Sequence, residues 1–245
     1  AYTKSKGDVR VISVASDAAA ILVSRKGSNI NRVKDLKGKK VAIPQSGNTQ
    51  DLNLRILLSE NGLKDKAKGG NVEIVQAENP DIKTLLDKGS IDATLVPEPW
   101  GSRLVKEVNA NVVLDYDGIW RKGKYPTAVI VARKEFIKDH PDIVEKFLKN
   151  NVKETDEINK NTDEAEDSIN KQLKEVTGQE LSKDILDSSF KRIKVTNDPE
   201  KQAIVEMADW SLEEGFIKKK ADLKNMFDFE LLNKVLKAEG KTQIQ

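Results

Sequence analysis

Two short loops hold the residue types and spacing that can bind something small. In "VAIPQSGNTQDLNLRILL" an apolar run is cut at Pro44, and the chain passes through Gln45, Ser46, Gly47, Asn48 and Thr49 into a leucine-rich helical pattern. A strand that turns through small hydroxyl and amide residues into a helix leaves backbone N–H groups unpaired at the helix start, and those groups can receive an anion. Asn48 or Thr49 taken alone reads more simply as a helix cap. No GK[ST] follows the glycine and no GxGxxG is present, so a nucleotide is the least suitable occupant. In "LVPEPWGSRL" Glu98, Pro99 and Trp100 follow a strand directly. The prolines keep that loop out of helix and sheet, and the Trp either packs on a neighbouring helix or walls a pocket with its indole N–H free to donate.

Other chemistries find little support. His140 is the single histidine and precedes Pro141 at a helix start, a surface position. One His and no Cys argue against catalytic zinc and against a Ser-His-Asp hydrolase, so neither a metal nor a catalytic residue is expected, and no cofactor motif is visible. Carboxylates are abundant, but runs such as "KETDEINKNTDEAED" read as solvated helix faces. The 42 Lys and Arg against 40 Asp and Glu are interspersed and leave a net charge of +2, which excludes the clustered basic face of a nucleic-acid binder. No stretch approaches the roughly 18 apolar residues of a membrane span.

The elements that must position the two loops follow from hydrophobic period and stop signals. "VRVISV" (9–14) and "AAILVSR" (19–25) read as strands on either side of a Ser16–Asp17 break. A strand at 41–43 leads to a helix near 50–61 stopped by Gly62, and a strand at 72–77 leads to a helix at 79–89 with Asn79 as its cap. Then come a strand at 91–96, the helix "WGSRLVKEV" and a strand at 112–115. This alternation predicts a mostly parallel sheet covered by helices, in which ligands sit beyond the carboxyl ends of the strands. Both loops occupy that position and are expected to face one crevice. After "YPTAVIVAR" (125–133) the pattern turns helical: "HPDIVEKFLKNNVKETDEINKN" starts a helix at Pro141, and further helical patterns lie near 163–177, 180–190, 199–216 and 228–240. An α/β ligand-binding lobe of 20–122 is expected beside a second, helix-rich body made of 1–19 and 123–245, joined by two crossings near 14–19 and 122–128.

Across "VKDLKGKKVAIPQSGNTQDLNLRILLSENGL", "LLDKGSIDATLVPEPW" and "FIKDHPDIVEKFL" the chain resembles the solute-binding components of ABC importers, in the nitrate, sulfonate, taurine and bicarbonate binding group that also includes binders of thiamine-precursor pyrimidines. The resemblance implies a periplasmic binding protein-like type II fold, two α/β lobes with a hinge. It implies capture of a small anion or zwitterion, delivery to the transmembrane subunits of a permease, an extracytoplasmic place as a periplasmic protein or a cell-surface lipoprotein, and a monomer. Ser46, Gly47, Asn48 and Thr49 then lie at the cleft, Glu98 and Trp100 form the opposite wall, Ser16 and Asp17 sit near a hinge strand, and Tyr125 lies beside the second crossing. Members normally carry a strand-helix-strand-helix segment ahead of the point where this sequence starts, so the first lobe is expected to be incomplete at its N-terminus. Glu98 either turns to a backbone or hydroxyl partner or reads a cationic amino group on the solute. An enzyme on the same two-lobed fold, with Glu98 or Asp17 as general base, and a regulator's effector domain are the alternatives.

Overall fold

The computed structural model describes residues 2–245. Its strands form two sheets. The larger is built from β2 (Ala20–Ser24), β3 (Lys40–Ile43), β4 (Glu73–Gln76), β5 (Ala93–Pro97) and β6 (Asn111–Leu114), in the order β4-β3-β5-β2-β6. β3 pairs in parallel with β4 and β5, whereas β2 runs antiparallel to both β5 and β6. Four strands therefore share one direction and β2 alone is reversed. All five residues of β2 are buried, as expected of a central strand covered on both faces. One face is covered by α1 (Thr49–Glu60), whose Leu54, Leu57 and Leu58 join Leu22, Val41, Ile43 and Leu95 in a core cluster. On the other, Ile82 and Leu86 of α2 (Asn79–Asp87) and Leu104 of α3 (Trp100–Val108) pack with Ile21, Val23 and Val96. Gly62 stops α1 at φ +70°, and Leu63 N–H returns to the Leu58 carbonyl at 2.8 Å, the left-handed stop that the sequence predicts.

The smaller sheet has the order β7-β1-β8 and is antiparallel throughout, formed by β1 (Val9–Ala18), β7 (Pro126–Arg133) and β8 (Ile193–Val195). A short α4 (Tyr116–Ile119) precedes the crossing into β7, and α5 (Lys134–Asp139) follows that strand. The long α6 (Pro141–Lys160) and α10 (Glu230–Ala238) pack on this sheet through Ile12, Val144, Leu148, Leu232 and Leu236. α7 (Thr162–Thr177) extends the layer, α8 (Lys183–Phe190) leans on α3, and α9 (Lys201–Glu213) leans on α1. β7 is an edge strand, and Val131, Ile143 and Phe147 are each about half exposed around a groove of ≈ 200 Å³.

Several expectations change. The break near Ser16 and Asp17 falls instead at Ala18 and Ala19: Ser16 and Asp17 pair with β7 on one side and β8 on the other, so they stay in the ladder. Ala18 and Ala19 then take φ of +58° and +69°, left-handed values that cost a residue with a Cβ about 1–2 kcal/mol each. The second crossing shows the same feature at Arg121 and Lys122, with φ of +46° and +55°. A third crossing, not expected from sequence, runs from β8 into α9 through Glu200 at φ +45°. β8 itself is only three residues long, too short for periodicity to reveal. Asn79 is the first residue of α2 rather than its cap; Glu78 precedes the helix without a side-chain capping bond, and the Asn79 Oδ1 is buried without a partner.

Leu54 is fully buried between α1 and the sheet. Leu54→Ala is expected to lower unfolding stability by about 2–5 kcal/mol in urea titrations, through lost burial and the cavity left behind.

Candidate functional site

The register of the large sheet decides which residues share an edge. Ala20 pairs with Pro97 at the carboxyl end of β5, and the Glu98 N–H donates to the Ala19 carbonyl at 2.6 Å. Leu22 pairs with Leu114, so Asp115 follows β6 at the same end. The parallel pairing of β3 with β4 and β5 brings the 44–49 loop and Gln76 there too. The carboxyl edge of the sheet thus collects 17–19, 44–49, 76–78, 97–100 and Asp115, where an open α/β sheet holds its ligands.

The 44–49 loop is more committed than its sequence suggests. Ser46 donates through both its N–H (3.2 Å) and its hydroxyl (3.0 Å) to Gln76 Oε1. Gly47 N–H donates to Asp51 Oδ2 at 2.8 Å, and Asn48 caps α1 by accepting from Asp51 N–H at 2.9 Å. Asp51 is fully buried, with Arg55 donating to its other oxygen at 2.7 Å and to Asp65 at 2.9 Å. The loop therefore already contains one anion, the Asp51 carboxylate, neutralised by Arg55. The N–H groups of Thr49 and Gln50, the first two of α1, have no acceptor among the described residues. Those two are the donors open to a ligand, while 46 and 47 are spent on shaping the loop.

Glu98 lies under the edge, its side chain wholly buried. Its Oε2 accepts from Ser102 N–H at 2.9 Å and from the Ser189 hydroxyl at 3.2 Å, and its Oε1 accepts from Arg192 at 3.0 Å. Arg192 also grips Asp115 with a two-pronged contact at 2.6 and 3.1 Å. Burial pushes the Glu98 carboxyl up, opposed by Ser102 and Arg192; at Asp115 burial is outweighed by Arg192 and the Tyr116 N–H, which hold it low. Of the two options for Glu98, these contacts realise internal partners, here a backbone N–H, a hydroxyl and a guanidinium. Arg192, which fastens the α8–β8 segment to this edge, was not singled out by sequence; nothing marks one arginine among 42 basic residues. Trp100 is half-buried against the second core cluster with the Arg103 guanidinium 4.6 Å above its ring, so it packs on its own helix. His140 is exposed and lies 5.0 Å from the Phe136 ring.

At the crossings the polar groups are less satisfied. The Ser16 hydroxyl is 3.4 Å from that of Thr127. Asp17 is only 7% exposed and its Oδ1 has no hydrogen-bond partner, and the Tyr125 hydroxyl, in a fully buried side chain, has none either. Tyr125 packs into the larger core beside Trp120, ring centroids 5.6 Å apart. Burial, reinforced by Glu200 and Asp198, raises the Asp17 carboxyl from 3.8 to about 7; burial and then Asp17 push the Tyr125 phenol up, so it stays a neutral O–H. Away from this edge, the carboxylates of Asp163, Glu166 and Asp187 converge, but the Lys183 ammonium already bonds all three, at 3.0, 2.8 and 2.5 Å.

A profile of the NMT1-like family matches residues 4–171. The taurine-binding periplasmic protein of Escherichia coli (strain K12) is 28% identical over 168 residues, which is 60% of this chain and 50% of that protein. A Bacillus subtilis (strain 168) protein named for aliphatic sulfonate binding is 27% identical over 232 residues, 94% of this chain and 67% of that protein. The chain thus spans half the length of the first relative and about two thirds of the second. Among solved structures, the periplasmic aliphatic sulphonate binding protein SsuA from Escherichia coli superposes with a TM-score of 0.74 at 20% identity, covering 100% of this chain and 73% of that one. The desulfurization enzyme DSZB superposes with a TM-score of 0.66 at 16% identity, covering 95% and 80%. The fold is that of the two-lobed periplasmic binding proteins, and it also carries an enzyme.

Two predictions follow from the geometry. Glu98→Ala leaves the partly buried Arg192 half-paired and Ser102 N–H without its acceptor, and should cost about 3 kcal/mol in urea denaturation, the low end of the scale for breaking a buried ion pair. Because the folded protein holds the Asp17 proton up to about pH 7 while the unfolded chain releases it near 3.8, stability contributed by this group falls as pH rises between those values. The slope is at most about 1.4 kcal/mol per pH unit. Asp17→Asn should flatten that part of a stability-against-pH curve; an unchanged curve would show that Asp17 titrates normally.

Proposed function

The chain belongs to the NMT1-like family, and from that premise we propose that it is the solute-binding component of an ABC importer, holding a small oxyanion or zwitterion of the sulfonate, taurine or nitrate kind and handing it to a permease outside the cytoplasm. The observation that carries this reading is the carboxyl edge of the large sheet: two unpaired N–H groups at the start of a twelve-residue helix, on the edge where the β1–β2 segment passes between the two sheets.

The oxyanion is held by the N–H groups of Thr49 and Gln50 and the Thr49 hydroxyl, with the helix dipole adding to their attraction. Ser46, Gly47 and Asn48 set the loop's shape through Gln76 and Asp51. Fixed neutral dipoles replace the anion's water without the trapping of a buried ion pair, which suits a carrier that must release its load. Motion between the bodies is absorbed at Ala18–Ala19, Arg121–Lys122 and Glu200, where non-glycine residues already sit at left-handed φ. Names of the relatives support this class: one binds taurine and another is named for aliphatic sulfonates. The fold match to DSZB keeps an enzyme as the second reading, with Asp17 as its base, since a carboxyl raised to about 7 is poised for proton transfer.

A thermal-shift screen of the full-length protein against taurine, alkyl sulfonates, nitrate, bicarbonate and pyrimidines separates these readings. A true ligand at about a hundred times its Kd should stabilise by about 2.7 kcal/mol and be recovered unchanged. Thr49→Val removes one donor, the hydroxyl, and keeps the backbone N–H and the side-chain shape. It should weaken oxyanion binding about tenfold or more, the worth of one hydrogen bond to a charged group. Full affinity in that variant would move the anion elsewhere, and turnover of a stabilising sulfonate or sulfinate would favour the enzyme.

A further inference from the structure

At the junction between the two bodies three carboxylates lie close together, while Arg121 of the second crossing is paired with Glu206. Asp17, Asp198 and Glu200 form no ion pair among the described residues, and Glu200 and Asp198 add to the burial that keeps the Asp17 proton on. Two lysines lie on the same elements and turn elsewhere. Lys194, the ladder partner of Asp17 on β8, stands 5.4 Å over the Tyr116 ring, and Lys201, next to Glu200, stands 5.6 Å over the Phe227 ring. A buried carboxylate normally keeps a cation or several donors, because burying it alone costs several kcal/mol.

Two atoms at this point independently lack partners: Asp17 Oδ1 and the Tyr125 hydroxyl, the latter in a side chain that is 0% exposed. The neighbouring groups account for their own bonds. Asp198 accepts from the Glu200 N–H at 2.9 Å, and Ser16 faces Thr127. What this arrangement lacks is a donor with positive charge, approachable once the bodies part at Ala18–Ala19 and Glu200.

We propose that Asp17 and Tyr125 form the seat of a primary ammonium group on the solute, so that the protein selects amino-sulfonates or similar short zwitterions over plain anions. The ammonium donates to Asp17 Oδ1 and to the Tyr125 oxygen, with Asp198 and Glu200 supplying attraction at longer range. The oxyanion end lies at the start of α1, as in the proposed function on which this rests. It moves the amine-reading role from Glu98, whose oxygens are already engaged by Ser102, Ser189 and Arg192, to the chain crossing. A site so built takes up the cation best when Asp17 is ionised, so binding of the amine strengthens as pH rises through neutrality while that of a plain sulfonate does not.

Titration calorimetry of the full-length protein with taurine and with ethanesulfonate, its analogue without the amine, tests this at pH 6 and pH 8. Wild type should favour taurine by at least tenfold at pH 8, with the preference shrinking at pH 6. Asp17→Asn should lower the ratio of taurine to ethanesulfonate affinity at least tenfold and remove its pH dependence, and Tyr125→Phe should lower it severalfold. Circular dichroism confirms that the variants fold; if one does not, the wild-type ratio and its pH dependence still decide. Ethanesulfonate binding equal to taurine, or a pH-independent preference, would overturn the ammonium seat and leave the anion site standing. Binding of neither compound to wild type would overturn both.

Discussion

The reversed strand β2 is the constraint from which the site follows. A strand entering the large sheet antiparallel between β5 and β6 must begin where its neighbours end, and the Ala20 to Pro97 register with the Glu98 to Ala19 hydrogen bond fixes that point. Asp17, Ala18 and Ala19 are thereby delivered to the edge that already carries the ends of β3, β4 and β5. Had β2 been inserted parallel, the crossing would have lain at the opposite edge, away from the start of α1. The loop after β3, the loop after β5 and the interlobe crossing share one location because of a single strand direction.

Around that location, charge is handled in two ways. Under the loops it is neutralised within the protein: Asp51 by Arg55, and Glu98 and Asp115 by Arg192. These pairs position backbone, and their desolvation is offset by short, directed contacts. At the crossing, Asp17, Asp198 and Glu200 form no ion pair among the described residues, and left-handed backbone falls at Glu200 and at Ala18 and Ala19 beside Asp17. Internal pairing gives rigid walls, and its absence at the junction leaves chemistry available to a visitor.

Much of the architecture was legible in the sequence. Period-2 and period-3.6 runs with glycine and proline stops located β3 through β6 and their helices, because each element buries one face and shows it in its spacing. The helix stop at Gly62 and the loop after β3 were read for the same reason, whereas of 97–100 only Glu98 and Pro99 lie between elements, since Pro97 ends β5 and Trp100 starts α3. Less visible were features that depend on pairing across long sequence distances. Ser16 and Asp17 looked like a break because their polarity interrupts an apolar run, yet two partner strands hold them in the ladder. Glu98 looked like a ligand contact because no local signal announces Arg192, 94 residues away. Ser46 and Gly47 looked free until Gln76 and Asp51 were placed beside them. Residue types marked the site's neighbourhood, and tertiary pairing decided which atoms there were still unoccupied.

The central claim is that a small oxyanion binds at the carboxyl edge of the large sheet, against the first turn of α1 and beside the crossing. Amide chemical-shift mapping of the isotope-labelled full-length protein during titration with taurine tests it most directly. The largest perturbations are expected at Thr49 and Gln50, with further shifts at Ala18, Ala19 and Glu200 as the bodies move. Perturbations confined to the apolar groove around Ile143 and Phe147, or saturable binding that leaves Thr49 and Gln50 unmoved, would contradict it.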